Sequence, residues 1–364
     1  MTNRYGEQPQ FGHSPALHPD GAVLYVGEHN YQLFALHTAN GSIFWTSDLG
    51  SGSDLGTPVT SSDGRLLICP VGGDIVALST ATGIMLWKIH NGLNQDTQPA
   101  VSSDSRFLYK LRVGGYSSTE GEWQYGVPNQ YGQDSSFVQH TYPAVVKLDM
   151  ATLSGRTTGT PVWVCNLPSG RYSAVIASPD DSKVFVFGRH FRVSAHDTRN
   201  GTELWAFDGG SGEISFLTQG VPFVGVCDDR AVYVGSSDGY VYGINSVDGS
   251  LRWRYFAGGY SSPLSNVGCF VGSLPVCSRD GSRVVVGTTS SQVAVLDAST
   301  GDLLWKSVTG QYNWDIQTYQ SCTNIMSAPI INPDNTRVYT YCQAFGSSAL
   351  LSLDINSMPR LPLS

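Results

Sequence analysis

The sequence lacks any apolar run near the roughly 18 residues that a membrane-spanning helix needs, so it predicts no membrane span. It also lacks a basic cluster: Lys and Arg together number 21 against 29 Asp and Glu, for a formal net charge of -8. Nucleic-acid binding rests on clustered cations that neutralise phosphates, so no nucleic-acid partner is expected, nor an anionic membrane surface. There is no CxxC pair, no HExxH and no phosphate-cradling glycine loop. Structural zinc, dithiol redox chemistry, zinc peptidase chemistry and nucleotide binding therefore have no motif to stand on. The start, MTNRYGEQPQ, has no apolar core of the signal-peptide kind and favours the cytoplasm, with a secreted or organellar location open if a targeting segment precedes it. The seven cysteines, Cys69, Cys165, Cys227, Cys269, Cys277, Cys322 and Cys342, are scattered and odd in number. They read as free buried thiols, with Cys322–Cys342 as one pairing that spacing alone does not license.

Charged residues are only 14%, whereas glycine reaches 41 copies and aromatics 11%. That balance suits short strands joined by tight turns. The chain is also repetitive. A Gly-x-x-x-Trp element ends at Trp45, Trp87, Trp163, Trp205, Trp253 and Trp305, at separations of 42, 76, 42, 48 and 52 residues. An insertion explains the one long interval. A second marker, an Asp in a polar turn, occurs seven times, at Asp20, Asp63, Asp104, Asp180, Asp228, Asp280 and Asp334. Gly, Asn and Asp tolerate the positive φ that such turns use. A β-rich run follows each turn, VLYVG and VVVGT among them, and then a second run ending like VAVLD. The unit reads strand A, Asp turn, strand B, loop, strand C, Gly turn, strand D with Trp. Four short antiparallel strands in about 42 residues make one propeller blade. The periodic Trp residues are expected to fill the wedges between blades. The sequons at Asn40 (NGS) and Asn200 (NGT) fall where an Asn-Gly turn is wanted in any case.

The stretch VYVGSSDGYVYGINSVDGSLRWRYFAGG, residues 232–259, resembles the PQQ-type propeller repeat shared by quinoprotein dehydrogenases, BamB-type assembly proteins and non-catalytic relatives. The expectation is an all-β, seven-bladed propeller in a single domain. Its blades would lie at about 14–52, 57–94, 98–170, 173–212, 221–260, 273–312 and 327–364, with a loop insertion at 113–142. Blade seven ends without its Gly-x-x-x-Trp strand. Trp45 lies 13 residues before Pro58, and position 2 lies 13 before Pro15, so residues 2–10 are expected to supply the missing strand.

In such a ring the A–B and C–D turns emerge on one face, the B–C and D–A loops on the other. The long excursions fall on the second face, at 113–142, 208–220, 257–272 and 308–326. Long loops on a rigid scaffold are where binding residues gather. Tyr116, Trp123, Tyr125, Tyr131 and His140 in the first, with Tyr312, Trp314, Asp315 and Tyr319 in the last, combine aromatic anchors with polar groups as recognition surfaces do. The expected function is a non-catalytic scaffold that binds a protein partner through this face, with no catalytic residue, no metal site and no cofactor. Two alternatives stand beside it. The resemblance to quinoprotein dehydrogenases implies PQQ with calcium, although the chain has no Cys-Cys pair and no segment matching the cofactor motifs. Aromatic loops could equally stack on a carbohydrate or small ligand.

Overall fold

The computed structural model describes residues 15–27, 32–50, 55–90, 98–112, 143–155, 159–168, 172–188, 191–209, 223–228, 230–236, 239–257, 275–278, 280–287, 292–308, 311–313, 318–320, 329–332, 334–344 and 347–354. Among them are seven antiparallel sheets in chain order. The first is β1 (Ala16–Leu17), β2 (Val23–Gly27), β3 (Gln32–His37) and β4 (Ile43–Asp48). The second is β5 (Val59–Thr60), β6 (Leu66–Val71), β7 (Asp74–Ser79) and β8 (Met85–His90); the third is β9 (Ala100–Val101), β10 (Phe107–Arg112), β11 (Ala144–Asp149) and β12 (Pro161–Asn166). The fourth is β13 (Tyr172–Ala177), β14 (Lys183–Gly188), β15 (Arg192–Asp197) and β16 (Glu203–Asp208). The fifth is β17 (Phe223–Asp228), β18 (Ala231–Gly235), β19 (Tyr240–Asn245) and β20 (Leu251–Phe256). The sixth is β21 (Val276–Cys277), β22 (Arg283–Gly287), β23 (Gln292–Asp297) and β24 (Leu303–Val308). A hairpin, β25 (Gln311–Asn313) with β26 (Thr318–Gln320), precedes the three described strands of the seventh sheet, β27 (Ile330–Ile331), β28 (Arg337–Ala344) and β29 (Ser347–Asp354). The protein is an all-β seven-bladed propeller, as expected. Residues 2–10, expected to complete the seventh blade, lie outside the described residues.

Alternation along the strands explains why blades stack. In β2, Leu24 and Val26 pack toward the seventh blade, where they meet Tyr339 and Ile330. Tyr25, between them, points the other way and packs with Leu67, Cys69, Val76 and Leu78 of the second blade. Period-two patterning thus serves both faces of a fully buried sheet. Each of the remaining neighbouring pairs shares an apolar cluster of its own. The cluster between the seventh and first blades closes the ring.

The Trp residues behave as wedges, each of four with a carbonyl partner in the next blade. Trp45 Nε1 donates to Thr80 O at 2.7 Å, Trp163 to Thr198 O at 2.8 Å, Trp205 to Ser246 O at 3.0 Å and Trp253 to Ala298 O at 3.1 Å. Each bond reaches the carbonyl just after strand C of the next blade. A register shift recurs at the same point of six C–D pairs, for instance between Ala35 and Leu36 and between Val295 and Leu296. Such bulges re-aim a side chain, and here they sit directly beside the Trp. The glycine of the repeat belongs to the same device. A Cβ on Gly83 would stand 2.6 Å from the Trp45 ring, one on Gly249 2.6 Å from Trp205 and one on Gly301 2.7 Å from Trp253. The Gly of the second, fourth, fifth and sixth blades therefore seats the Trp of the blade before it. Blade three departs from the pattern. Its longer C–D turn brings Met150 and Leu153 against Trp87, and Gly159 lies under Leu148 and Leu153 instead.

The A–B turns share a second device. Ser61, Ser178 and Ser278 each donate from Oγ to an Asp two residues on, Asp63, Asp180 and Asp280, at 2.6 Å. The Asp in turn accepts a backbone N–H two residues further along, as Asp280 does from Ser282 at 3.1 Å. The fifth blade differs from expectation. Asp228 is the last residue of β17 and pairs with Ala231, so its hairpin is tighter than the others. Hydrogen bonding, from the Ser278 hydroxyl first, holds the Asp280 carboxyl down to about 2. A carboxyl depressed below its unfolded value of about 3.9 contributes stability above that value and loses it as pH falls through the folded one. Asp280→Asn should therefore lower Tm at neutral pH, and the gap to wild type should close between about pH 4 and pH 2. Thermal melts across that range test this; a gap of constant size down to pH 2 would mean the carboxylate is not its source.

Candidate functional site

The turn face is knitted across blade boundaries. His18 Nε2 lies 3.0 Å from Gly64 O. The Asp63 N–H donates to Ser105 Oγ at 3.0 Å, and the Ser103 N–H to Asp181 Oδ1 at 2.8 Å. Arg283 Nη1 donates to Asn335 O at 3.3 Å. A face so bonded has little freedom to vary or adapt. The two sequons belong to it. Asn40 Oδ1 accepts the Ser42 N–H at 2.9 Å and Asn200 Oδ1 the Thr202 N–H at 3.0 Å. Asp248 does the same for Ser250 at 2.9 Å in a blade with no sequon, so the turn alone accounts for both Asn residues.

The sequence-named residues are expected on the opposite face. Tyr116, Trp123, Tyr125, Tyr131 and His140 lie outside the described residues, as do Trp314 and Asp315. Tyr312 and Tyr319 fall on β25 and β26, and their backbones stand directly opposite in register. The connection carrying them is thus a β-hairpin where the sequence leads one to expect a loop. The stem of the 113–142 insertion is defined: Arg112 ends β10, Ala144 begins β11, and the two pair.

That stem carries two basic side chains, Lys110 and Arg112. Lys110 and Arg112 alternate with Tyr109 and Leu111 along β10, and Leu111 is buried against blade four. Burial, reinforced by the neighbouring Arg112 charge, pulls the Lys110 ammonium down to about 8. Arg112 Nη2 donates to Asn166 Oδ1 at 3.4 Å, while its buried Nε has no partner among the described residues. The sequence marks Lys110 in FLYKLR, where blades four and six keep strand B apolar, as in VFVFG and VVVG.

One apparent catalytic pair resolves as structural. Cys165 Sγ lies 3.6 Å from His196 Nδ1. That nitrogen also lies 3.1 Å from Gly201 O, which only accepts, so Nδ1 carries the proton and Nε2 accepts from Ser194 Oγ at 2.9 Å. Burial lowers the imidazole pKa and raises that of the thiol, so the pair stays neutral and holds no activated nucleophile. Lys147, also between blades three and four, donates from Nζ to Thr198 O at 3.0 Å and lies 3.8 Å from the Phe107 ring centre. It is a buried tether satisfied on both sides. Among the described residues, no group of three or more His, Cys, Asp or Glu is placed to hold a metal ion. No helix there is long and apolar enough to cross a membrane. Cys69 and Cys165 are free thiols, as expected, but Cys277 is disulfide-bonded, which corrects the free-thiol reading at that position.

The family model described as "Outer membrane protein assembly factor BamB" matches residues 4–147, 112–276 and 150–358. The chain belongs to this BamB-type family of PQQ-like propellers. A curated relative, the BamB of Yersinia pestis, is 27% identical over 189 residues, which cover 49% of this chain. The match spans 44%, less than half, of that relative's length. The crystal structure of BamB from Moraxella catarrhalis superposes with a TM-score of 0.53 at 17% identity, over 95% of this chain and 84% of that one. A chain from "Crystal Structure of Mitotic Checkpoint Complex" reaches a TM-score of 0.67 at 11% identity, over 94% of this chain and 86% of its own. At those identities the two structures speak for the fold alone.

Proposed function

We propose that this chain is a non-catalytic scaffold that holds a protein partner against its loop face. The observation that carries the reading is the contrast between the faces. The turn face is bonded from blade to blade, while the long sequence excursions at 113–142, 208–220, 257–272 and 308–326 lie between strands B and C or D and A. A family named for an assembly factor supports protein binding as the general role. Within the face, Tyr116, Trp123, Tyr125, Tyr131 and His140, with Tyr312, Trp314, Asp315 and Tyr319, are the proposed contact residues. The buried Arg112 Nε at the stem, without a partner among the described residues, favours a partner that offers it a carbonyl or carboxylate oxygen.

The test is to replace residues 116–140 by a short Gly-Ser link. The stem pair Arg112–Ala144 keeps the two ends adjacent, so closure costs little and the melting transition should stay within a few degrees of wild type. A partner cross-linked to the intact protein in its native cells should be lost, by about tenfold or more in recovery. A partner recovered equally well by both proteins would overturn the assignment of this face. The proposal includes no cofactor, so PQQ with calcium, or a chelator, should leave recovery unchanged. Recovery that depends on either would favour the quinoprotein alternative, and competition by a simple sugar the carbohydrate one.

A further inference from the structure

We propose that Cys277 is bonded to Cys227, so that a disulfide pins the inner strands of the fifth and sixth blades together. Cys277 is disulfide-bonded, and Cys69 and Cys165 are free thiols. Its partner is therefore one of Cys227, Cys269, Cys322 and Cys342. Direction narrows the choice. Cys277 pairs with Val284 across β21 and β22, and it packs against the cluster shared by blades five and six. It thus faces blade five. Cys342 sits on β28 of the seventh blade, paired with Ala349, on the opposite side of blade six. Cys227 lies on β17, the blade-five strand beside β21, and Cα atoms of the two strands approach within 8 Å. Disulfides ordinarily join Cα atoms about 4.4–6.8 Å apart. Register agrees. Cys277 pairs with the second residue of its B strand, as Val226 does with Val232, and Cys227 is the next residue, at the irregularity before Asp228. The two cysteines therefore occupy neighbouring levels of adjacent inner strands.

Formation of the bond takes two thiols to one disulfide. Two electrons and two protons pass to a disulfide oxidant: a protein disulfide carrier, which leaves as its dithiol, or oxidised glutathione, which leaves as two reduced glutathione thiols. Such bonds persist where the surroundings are oxidising, so the proposal places maturation of this chain in such a compartment. The link also ties blades five and six at the centre of the ring, on either side of the 258–274 connection that leads to the proposed binding face.

The deciding experiment maps disulfides in the full-length protein, isolated under non-reducing conditions with free thiols blocked at lysis. Trypsin would leave Cys269 and Cys277 on one peptide, since no Lys or Arg lies between Arg254 and Arg279. Chymotrypsin, cutting after Phe270, separates them. The expected result is one peptide pair joined through Cys227 and Cys277, with Cys69 and Cys165 carrying the blocking group. A blocked Cys277, or Cys277 joined to Cys269, Cys322 or Cys342, would overturn the proposal. Variants give a second readout. Cys227→Ser and Cys277→Ser should each lower Tm by about 5 °C, the double variant no further, and reductant should lower Tm in the wild type alone. Unequal shifts, or a reductant effect that survives in Cys227→Ser, would count against this pairing.

Discussion

Trp253→Ala is expected to lower the unfolding free energy by about 3–5 kcal/mol, the range for deleting a buried aromatic side chain from a packed core. Trp253 is buried between blades five and six, with its ring 5.3 Å from that of Tyr233. Its indole N–H donates to Ala298 O, and the Tyr233 hydroxyl reaches the same carbonyl at 2.8 Å. After truncation that carbonyl keeps one partner. The cost should therefore come from lost packing and the cavity left behind, not from an orphaned acceptor. Urea unfolding followed by circular dichroism measures it. Val247→Ala is the control, since Val247 is 67% exposed and surface changes of this kind stay within about 0.5 kcal/mol. A Trp253 effect as small as the control's would show that the interface does not depend on its wedge.

Gly301→Val should cost nearly as much, by the opposite route. Gly301 has φ +77°, and a Cβ there would stand 2.7 Å from the Trp253 ring. Two penalties add: about 1–2 kcal/mol for a side chain in the left-handed region and about 1–3 kcal/mol for overpacking. A double-mutant cycle separates them. In a Trp253→Ala background the ring is gone, so only the backbone penalty should remain. The two changes should then sum to at least about 1 kcal/mol less than their separate effects. Gly41→Val provides the contrast: φ there is +70°, and no described neighbour comes within 4 Å of its Cβ position. It should show the backbone penalty alone. Strict additivity at Gly301 and Trp253 would mean that the glycine is conserved in the repeat for its turn only.

That pairing marks how far the repeat was legible. Gly-x-x-x-Trp reads correctly along the chain as a turn followed by a strand, and the wedge role of Trp205 and Trp253 follows from size and spacing. Its two ends, however, serve different interfaces. Gly249 seats Trp205, and Trp253 rests on Gly301. Spacing within one blade carries no sign of this, because the contact joins residues more than forty positions apart. The Asp turns were legible from composition, whereas the bonds that knit them, such as Ser103 to Asp181, were not. Of the candidate site, the sequence marks only where the repeat is interrupted. Lys110 was readable as a break in strand-B patterning, but its lowered pKa follows from burial. The hairpin of Tyr312 and Tyr319 lacks the Asn-Gly turn that would have announced it.

By itself the sequence determined what is periodic and local: strands by alternation, turns by Asp, Asn and Gly, seven repeats by counting two markers, and the segments where the repeat is interrupted. These are properties of residues a few positions apart, set by backbone sterics and side-chain period. Only the tertiary structure decided what depends on closing the circle. It brought Leu24 and Val26 against Tyr339 and so joined the first blade to the seventh. It fixed the proton of His196 on Nδ1 by placing Gly201 O beside it, and it made Cys277 half of a disulfide while Cys69 and Cys165 stayed free. The physical reason is common to all three. Burial, hydrogen-bond partnership and thiol pairing are set by neighbours in space, and in a ring those neighbours come from the next blade.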